Sequence, residues 1–194
     1  MMRGGITLDS LQPYFGAQAQ LLLGCLIFPQ FLSAAYLTQQ LQIAAFLGLL
    51  ATGATIVILL GHIDLSVPWV LTGAAILSTA LVGTGNPVLA ALAVPAALAF
   101  GALIGVVNGL GVAILRVPSM VWTLAVNSML LGLAVLNTGG FNPKGEASGL
   151  MIAMASGKLL GLPVSFLIWI AVSLALVAFL SRTPFGRYLR AIGV

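Results

Sequence analysis

Side chains that could do chemistry are scarce in this sequence, and the most informative group lies in residues 61–69, GHIDLSVPW. This segment holds the only histidine, His62, together with Asp64 and Ser66. His62 and Asp64 are two residues apart, so they would not share a helix face. We therefore do not expect the two side chains to bind a metal ion as a pair.

Two interpretations of residues 61–69 remain open. In the first, the segment is a turn between two helices, in which Gly61 ends one helix and Asp64 or Ser66 caps the next. In the second, it is a helix break at membrane depth that lines a pathway. Irregular backbone is tolerated at that depth only against protein or a water-filled cavity.

Two asparagines, Asn108 and Asn127, lie within otherwise apolar stretches. Hydrogen bonding between neighbouring helices explains such residues adequately, and each bond there is worth only about 0.6–2 kcal/mol. A polar lining for a hydroxylated solute is the alternative explanation. Together with His62, Asp64 and Ser66, the asparagines are our candidates for a translocation pathway or helix break.

Three glycines, Gly101, Gly105 and Gly109, recur every four residues in GALIGVVNGLG. Small residues at this spacing let a neighbouring helix approach closely in a membrane. We expect ordinary helix packing within the chain at this stripe, in preference to a dedicated dimer face.

Signatures of enzymes are missing from the sequence. It has one histidine and three carboxylates, and it contains no HExxH, G-x-S-x-G or Walker A motif. The single cysteine, Cys25, excludes an internal disulfide and a cysteine-rich metal site. We predict no catalytic residues, no metal and no cofactor, and we place ATP hydrolysis outside this chain.

The elements that must position these residues are membrane-spanning helices. Hydrophobic residues make up 61% of the 194 residues and charged residues only 5%, whereas soluble domains carry about 25%. The cations flank apolar segments and form no basic run, so lipid is an expected partner and nucleic acid is not. The composition predicts an all-α fold, a polytopic transmembrane helix bundle.

About six spans are predicted from runs long enough to cross the hydrocarbon layer. Their approximate limits are 14–32, 41–60, 66–84, 88–115, 118–137 and 162–181. Pro95 within the fourth run predicts a kink or a tilt. Between the runs we expect an outside connection at 33–40, a turn at 83–87 and the longest exposed loop at 139–161.

Orientation follows from the distribution of the cations. Arg182, Arg187 and Arg190 cluster just after the last span and should be cytoplasmic by the positive-inside rule. Counting back across six spans also places Arg3 and Arg116 inside. We therefore predict that the N-terminus and the C-terminus are both cytoplasmic.

Three stretches resemble the permeases of ribose-type ABC sugar importers. GHIDLSVPW resembles the GGIDLSVG segment of that family, although His62 and Pro68 replace the usual glycines. Residues 101–140 are similar to the family's run from its fourth into its fifth span. SRTPFGRYLRAIG is similar to the family's cytoplasmic R-x-T-x-F-G-R-x-x-x-A-x-G motif.

The resemblance implies a permease subunit of the bacterial inner (plasma) membrane that translocates a monosaccharide by alternating access. It implies three protein partners: a second permease, identical or different, a cytoplasmic ABC ATPase and a periplasmic sugar-binding protein. The cytoplasmic coupling segment would begin in residues 182–194. The positions that match its start are Arg182, Thr183, Phe185, Gly186 and Arg187.

The resemblance also bears on domain organisation. Permeases of this family are longer than this chain, which stops inside the coupling motif. We therefore expect residues 1–194 to be a single transmembrane permease domain, apparently truncated. The alternative function is a truncated, non-transporting membrane scaffold or a decayed permease fragment.

Overall fold

A computed structural model describes residues 24–25, 27–140 and 145–192 of the chain. Within these residues the fold is helical except for one short hairpin, and a short 3-10 helix, Pro29–Leu32, precedes the first long helix. The helices are α1 (Ala34–Leu59), α2 (Val67–Gly83), α3 (Pro87–Ala91), α4 (Ala93–Ala113), α5 (Ser119–Thr138), α6 (Gly149–Ser156), α7 (Val164–Arg182) and α8 (Pro184–Ile192). The hairpin consists of β1 (Lys158–Leu159) and β2 (Leu162–Pro163).

The long helices confirm a polytopic membrane protein. α1, α4, α5 and α7 are long and apolar enough to cross a membrane, and α2 is a shorter apolar helix. Large apolar side chains point outward, with Leu98 71% and Leu136 80% exposed. Such a surface suits lipid and not water. Most of the predicted span 14–32 and Arg3 lie outside the described residues.

α1 begins earlier than predicted, so the expected connection at 33–40 is wrong. The hydroxyl of Ser33 accepts a hydrogen bond from the backbone N–H of Tyr36 at 3.2 Å, which caps the helix. The glutamines that follow lower the local hydropathy, but they are good helix formers. Hydropathy therefore placed the start of the span too late.

The predicted span 88–115 is interrupted at Leu92, where α3 ends and α4 begins. Pro95 has no N–H to donate to the carbonyl of Ala91, so the helical hydrogen-bond ladder fails one turn before the proline. The turn predicted at 83–87 is present, and Asn86 caps α3 by accepting from the N–H of Val88 at 2.9 Å.

The region 139–161 is not the single exposed loop that we expected. Ser148 caps α6, and its hydroxyl accepts from the N–H of Met151 at 3.3 Å. The hairpin pairs Lys158 with Pro163 and Leu159 with Leu162 in antiparallel register. Its turn residues both have positive φ, a pattern typical of two-residue hairpin turns.

The helices pack in two groups. α2 packs against α4 and α5, and α1 packs against α7. In the second group Trp169 fills the space above Gly48, and its indole N–H donates to the hydroxyl of Thr52 at 3.3 Å. Thr52 also lies 3.3 Å from the hydroxyl of Ser173. Gly48 of α1 meets Trp169 of α7, and one turn later Thr52 meets Ser173. Because the residue numbers rise together along both helices, α1 and α7 run in the same direction.

The helix directions bring three segments to one end of the bundle. α1 leads into residues 60–66 at this end, and α5 begins there, because the N–H of Leu65 is bonded to Thr123. α7 runs parallel to α1, so α8 follows at the same end. Residues 114–118, between α4 and α5, also lie there. We call this the 60–66 end of the bundle.

Candidate functional site

Residues 62–66 join α1 to α2 across the 60–66 end of the bundle without regular secondary structure. Ser66 already has helical torsion angles, and we call residues 62–65 the extended segment because two alternate amides, those of Ile63 and Leu65, face the same helix. α1 is terminated at Gly61, whose φ of +76° is the left-handed conformation that favours glycine. The N–H of His62 then donates to the carbonyl of Val57 at 3.1 Å. This closing pattern is a common helix C-terminus, so Gly61 ends the helix as predicted.

α5 holds the extended segment from one side through two hydroxyls. The N–H of Ile63 donates to Oγ of Ser119 at 3.3 Å, and the N–H of Leu65 donates to Oγ1 of Thr123 at 2.9 Å. Alternate amides of an extended chain point the same way, and residues four apart on a helix share a face. The segment forms no helix or sheet that would pair the N–H groups of Ile63 and Leu65, so the hydroxyls of Ser119 and Thr123 accept from them.

α4 holds the segment from another side through Asn108. Its amide nitrogen donates to the hydroxyl of Ser66 at 2.8 Å and lies 3.4 Å from both carboxylate oxygens of Asp64. Oδ1 of Asp64 also accepts from the backbone N–H of Ser66 at 2.8 Å and from its hydroxyl at 2.6 Å. We call Asp64, Ser66 and Asn108 the Asp–Ser–Asn cluster.

The cluster is screened from solvent to different degrees. Ser66 is fully buried and Asn108 is 8% exposed, whereas Asp64 is half-buried. The negative charge of Asp64 precedes the first turn of α2, where the helix dipole favours an anion. Neutral donors and this dipole therefore stabilise the carboxylate.

A cleft of about 460 Å³ opens beside the cluster, between the extended segment, α4 and α5. Its polar lining consists of His62, Asp64, Asn108, Ser119 and Thr123. The remaining lining is apolar or lacks a side chain and comprises Val57, Leu60, Ile63, Gly105, Gly109, Val112 and Ala113. The lining thus combines five polar side chains with an apolar or side-chain-free surface, and α4 contributes to both.

The structure joins features of both interpretations of residues 61–69. Asp64 accepts from the N–H of Ser66 and so has the local geometry of a cap. The same segment is irregular backbone that lines a cleft and is bonded to two neighbouring helices. The contacts to α4 and α5 exceed what a turn between helices requires.

The candidate residues separate into two places. His62, Asp64 and Asn108 line the cleft, and Ser66 lies behind it within the cluster. Asn127 lies on α5 one turn beyond Thr123 and outside this lining. Its Oδ1 is buried, and among the described residues it has no hydrogen-bond partner.

Ser119 and Thr123 contribute to the site but were not singled out from the sequence. The available signal was two hydroxyl side chains four residues apart at the start of an apolar run. That spacing places them on one helix face. Nothing local indicates that an extended segment crosses that face.

The glycine stripe on α4 does not pack as expected within the part of the chain that the structure describes. A Cβ added at Gly101, Gly105 or Gly109 would meet no described atom within 4 Å. By contrast, a Cβ at Gly111 on the same helix would overlap the indole of Trp122. Against the described residues the stripe is therefore uncovered, and two of its three glycines line the cleft.

The predicted coupling segment forms α8 and the turn before it. The hydroxyl of Thr183 donates to the carbonyl of Phe179 at 2.6 Å and accepts from the N–H of Gly186 at 3.1 Å, so it joins α7 to α8. Gly186 is buried, and a Cβ there would lie 2.5 Å from backbone atoms of Leu180. The side chains of Arg182, Phe185 and Arg187 remain exposed.

Metal binding has no basis in the part of the chain that the structure describes. No group of three or more histidine, cysteine, aspartate or glutamate side chains lies close enough there to hold an ion. The site can therefore offer hydrogen bonds, one carboxylate and an exposed imidazole.

Comparison with known proteins gives one family and several similar permeases. Residues 36–194 match the family described as branched-chain amino acid transport system / permease component. The chain is 32% identical over 173 residues to the ribose import permease protein RbsC of Haemophilus influenzae, covering 87% of this chain and 52% of that protein. It is 36% identical over 169 residues to RbsC of Escherichia coli K12, covering 85% and 52%.

A further relative has a different transported molecule in its name. The chain is 35% identical over 185 residues to the autoinducer 2 import system permease protein LsrC of Salmonella typhimurium, covering 91% of this chain and 52% of that protein. The chain spans about half the length of the curated relatives that it matches. No solved structure matches it significantly.

Proposed function

The chain belongs to the branched-chain amino acid transport system / permease component family, and from this premise we propose that it is the permease subunit of an ATP-binding-cassette sugar importer. The observation that carries the proposal is the similarity to ribose import permeases over 85–87% of the chain. The transported solute is a monosaccharide of the ribose type.

The cleft is the part of the pathway that this chain contributes at the 60–66 end. His62, Asp64 and Asn108 offer hydrogen bonds to hydroxyl groups, and the apolar residues of the lining offer contact to the C–H face of a sugar ring. Sites for small molecules commonly combine an apolar wall with a few placed polar groups. This arrangement supports passage of a neutral hydroxylated solute.

The 60–66 end faces the cytoplasm in this proposal. Arg116, Arg182 and Arg187 lie at this end, and the excess of arginine marks the cytoplasmic side by the positive-inside rule. α6 and the hairpin then face the periplasm, where a sugar-binding protein docks. The membrane is the bacterial inner membrane, and the N-terminus is cytoplasmic as well.

α8 is the contact for the cytoplasmic ATPase. The exposed Phe185 and Arg187 provide an apolar and a charged group for such a contact, and Thr183 and Gly186 fix the direction of the helix. Motion of α8 would reach α1 through α7, because Trp169 packs against Gly48 and bonds Thr52. α1 leads directly into the extended segment that lines the cleft.

Alternating access in the proposed importer requires two permease subunits around one pathway, and the second is a copy of this protein or a related permease. Closure of the ATPases would move α7 and α1 and thereby widen or close the cleft. Such a movement would strain the hydrogen bonds that Ser119 and Thr123 accept from the backbone of the segment and the one that Asn108 donates to Ser66.

The direct test is uptake of radiolabelled D-ribose by cells that lack their own ribose permease. The protein is expressed with its ATPase and its sugar-binding protein, and each component is omitted in turn. We expect uptake only with all three. ATPase that co-purifies with the protein while no solute is taken up would favour the alternative, a non-transporting membrane scaffold.

A further inference from the structure

A second hollow, of about 600 Å³, lies beside the cleft at the 60–66 end of the bundle. Its polar side chains are His62, Arg116 and Ser119, and the rest of its lining is apolar. His62 and Ser119 also line the cleft, so the two cavities adjoin. Asp64 lines the cleft but not this hollow, so no described carboxylate faces Arg116 from the lining. We call it the Arg116 hollow.

The polar part of the Arg116 hollow offers hydrogen-bond donors and positive charge. Arg116 is exposed, and its planar guanidinium can bind two phosphate oxygens at once. The hydroxyl of Ser119 accepts from the N–H of Ile63 at 3.3 Å, which leaves its own O–H to donate to a ligand. No described side chain caps the start of α5, so its first N–H groups add positive potential beside Arg116. These groups together suit an anion of the phosphate type.

The apolar part of the hollow distinguishes a phospholipid from free phosphate. Met120 and Val121 line the hollow and are 50% and 61% exposed. Ile114 and Leu115, directly before Arg116, are exposed as well. Side chains of this kind in a membrane protein face acyl chains. A phosphate that carries acyl chains would contact both parts of the hollow, whereas inorganic phosphate would contact only the donors.

The position of the hollow along the helices agrees with the headgroup layer of a membrane. Residues 114–118 connect α4 and α5, and both helices are long and apolar enough to cross a membrane. Arg116 therefore lies at the end of two spans, where a membrane meets water. Basic pockets between transmembrane helices on the cytoplasmic side are known to bind anionic headgroups.

We propose that the Arg116 hollow binds an anionic phospholipid, with the phosphate at Arg116, Ser119 and the start of α5. An acyl chain then lies along Met120 and Val121. The site itself is independent of sugar transport, and only its assignment to the cytoplasmic leaflet rests on the proposed function. Because His62 and Ser119 line both cavities, the headgroup would contact the edge of the proposed pathway.

The test counts the lipids that the full chain retains after purification in a neutral detergent. The protein is incubated with phosphatidylglycerol or with phosphatidylcholine and is then examined by native mass spectrometry. We expect several-fold more phosphatidylglycerol than phosphatidylcholine to remain bound. Arg116→Gln should remove most of this excess, and Arg116→Lys should keep part of it because the charge is retained.

Arg182→Gln is the matched control. It removes the same charge from another exposed arginine at the same end, and Arg182 lies outside the lining of the hollow. We expect it to leave the phosphatidylglycerol excess unchanged. Equal losses in Arg116→Gln and Arg182→Gln would mean general attraction to positive charge and would overturn the site.

Two further results would also overturn the proposal. One is a parent protein that retains the two lipids equally. The other is displacement of phosphatidylglycerol by inorganic phosphate at the same concentration, which would identify an ion site that makes no use of the apolar lining.

Sugar uptake by the unsubstituted protein is measured in parallel to separate this proposal from the importer. A phosphatidylglycerol excess without uptake would retain the lipid site and reject the importer. Uptake without the excess would retain the importer and reject the lipid site.

Discussion

At the scale of single residues, Asp64 is one of only three carboxylates in the chain, and its contacts explain how a charge is held within an apolar bundle. Its Oδ1 accepts from the N–H and the hydroxyl of Ser66, and Asn108 lies 3.4 Å away. An unpaired carboxylate at such a position would be costly. Hydrogen bonds from neutral donors and the start of α2 offset that cost.

Asn108 is the member of the cluster whose removal should matter most. Asn108→Leu removes the donor to the buried hydroxyl of Ser66 and a neutral donor near the carboxylate of Asp64, and the loss of one such hydrogen bond costs about 0.5–1.5 kcal/mol. We expect a lower melting temperature in detergent, followed by circular dichroism, and reduced sugar uptake. Asn137→Leu is the control, because Asn137 is exposed and bonds only the carbonyl of Leu133 among the described residues. Equal effects of the two substitutions would contradict a role for the cluster.

Sequence reasoning identified three of the five polar side chains that line the cleft, on grounds that the structure can explain. His62, Asp64 and Asn108 stood out because charged and polar residues are rare in a chain that is 61% hydrophobic. Ser119 and Thr123 did not stand out, since small hydroxyl side chains are common in membrane helices and usually bond their own backbone. The hydroxyl of Thr123 accepts from the N–H of Leu65 and also donates to the carbonyl of Ser119 in its own helix.

At the scale of elements, the packing of α1 against α7 includes a close approach between Gly48 and Trp169. A Cβ at Gly48 would overlap the indole of Trp169, so the two helices can lie together only if position 48 has no side chain. The hydroxyls of Thr52 and Ser173 continue the same interface. This pair of helices also connects α8 with the extended segment.

Gly48→Ala should therefore destabilise the protein by about 1–3 kcal/mol, as expected for overpacking. Gly53→Ala on the same helix is the control, because a Cβ there would meet nothing within 4 Å among the described residues. We expect it to leave stability unchanged or to raise it by up to about 1 kcal/mol through helix propensity. Thermal unfolding in detergent measures both. A Gly48→Ala variant as stable as the parent would mean that the indole of Trp169 moves aside and that the absence of a side chain at position 48 is not required.

α8 is the second element with a prediction of its own. Phe185→Ala combined with Arg187→Ala should abolish co-purification of the ATPase while leaving membrane insertion intact, because both side chains are exposed. Leu150→Ala on α6 is the control, since Leu150 is 58% exposed and belongs to the opposite end of the bundle. If the double variant still co-purified with the ATPase, α8 would be only a positively charged segment that fixes the membrane topology of α7.

At the scale of the whole molecule, the helix directions and the positions of the arginines support the proposed orientation, in which the 60–66 end faces the cytoplasm. Residues 60–66, residues 114–118 and α8 share one end, and α6 and the hairpin share the other. The proposed cleft, the proposed ATPase contact and Arg116 are thus on the same side of the membrane. The chain spans about half the length of its curated relatives, so these surfaces belong to a family whose members are longer.

Labelling from outside the cell tests this orientation. In a Cys25→Ser background, Lys158→Cys in the hairpin should react with a membrane-impermeant maleimide in spheroplasts. Tyr188→Cys on α8, where Tyr188 is 67% exposed, should react only after permeabilisation. The reverse pattern would place the arginine-rich end outside and would remove the basis for an ATPase contact at α8.

Several features could be determined from the sequence because they depend on local composition. The all-α membrane class follows from the apolar runs, the end of α1 follows from Gly61, and the turn before α3 follows from Asn86 and Pro87. The interruption near Pro95 follows from a missing N–H. The sequence motifs also led to the permease family.

Other features were decided only by the tertiary structure. Asn108 meets Asp64 across 44 residues of sequence, and an extended segment lies across Ser119 and Thr123. Two glycines of the stripe line the cleft, and α6 and the hairpin occupy part of the predicted loop. Helical periodicity shows which residues share a face, but it does not show what that face meets. The partner depends on the rotation and register of each helix, and these are set by all the packed helices together.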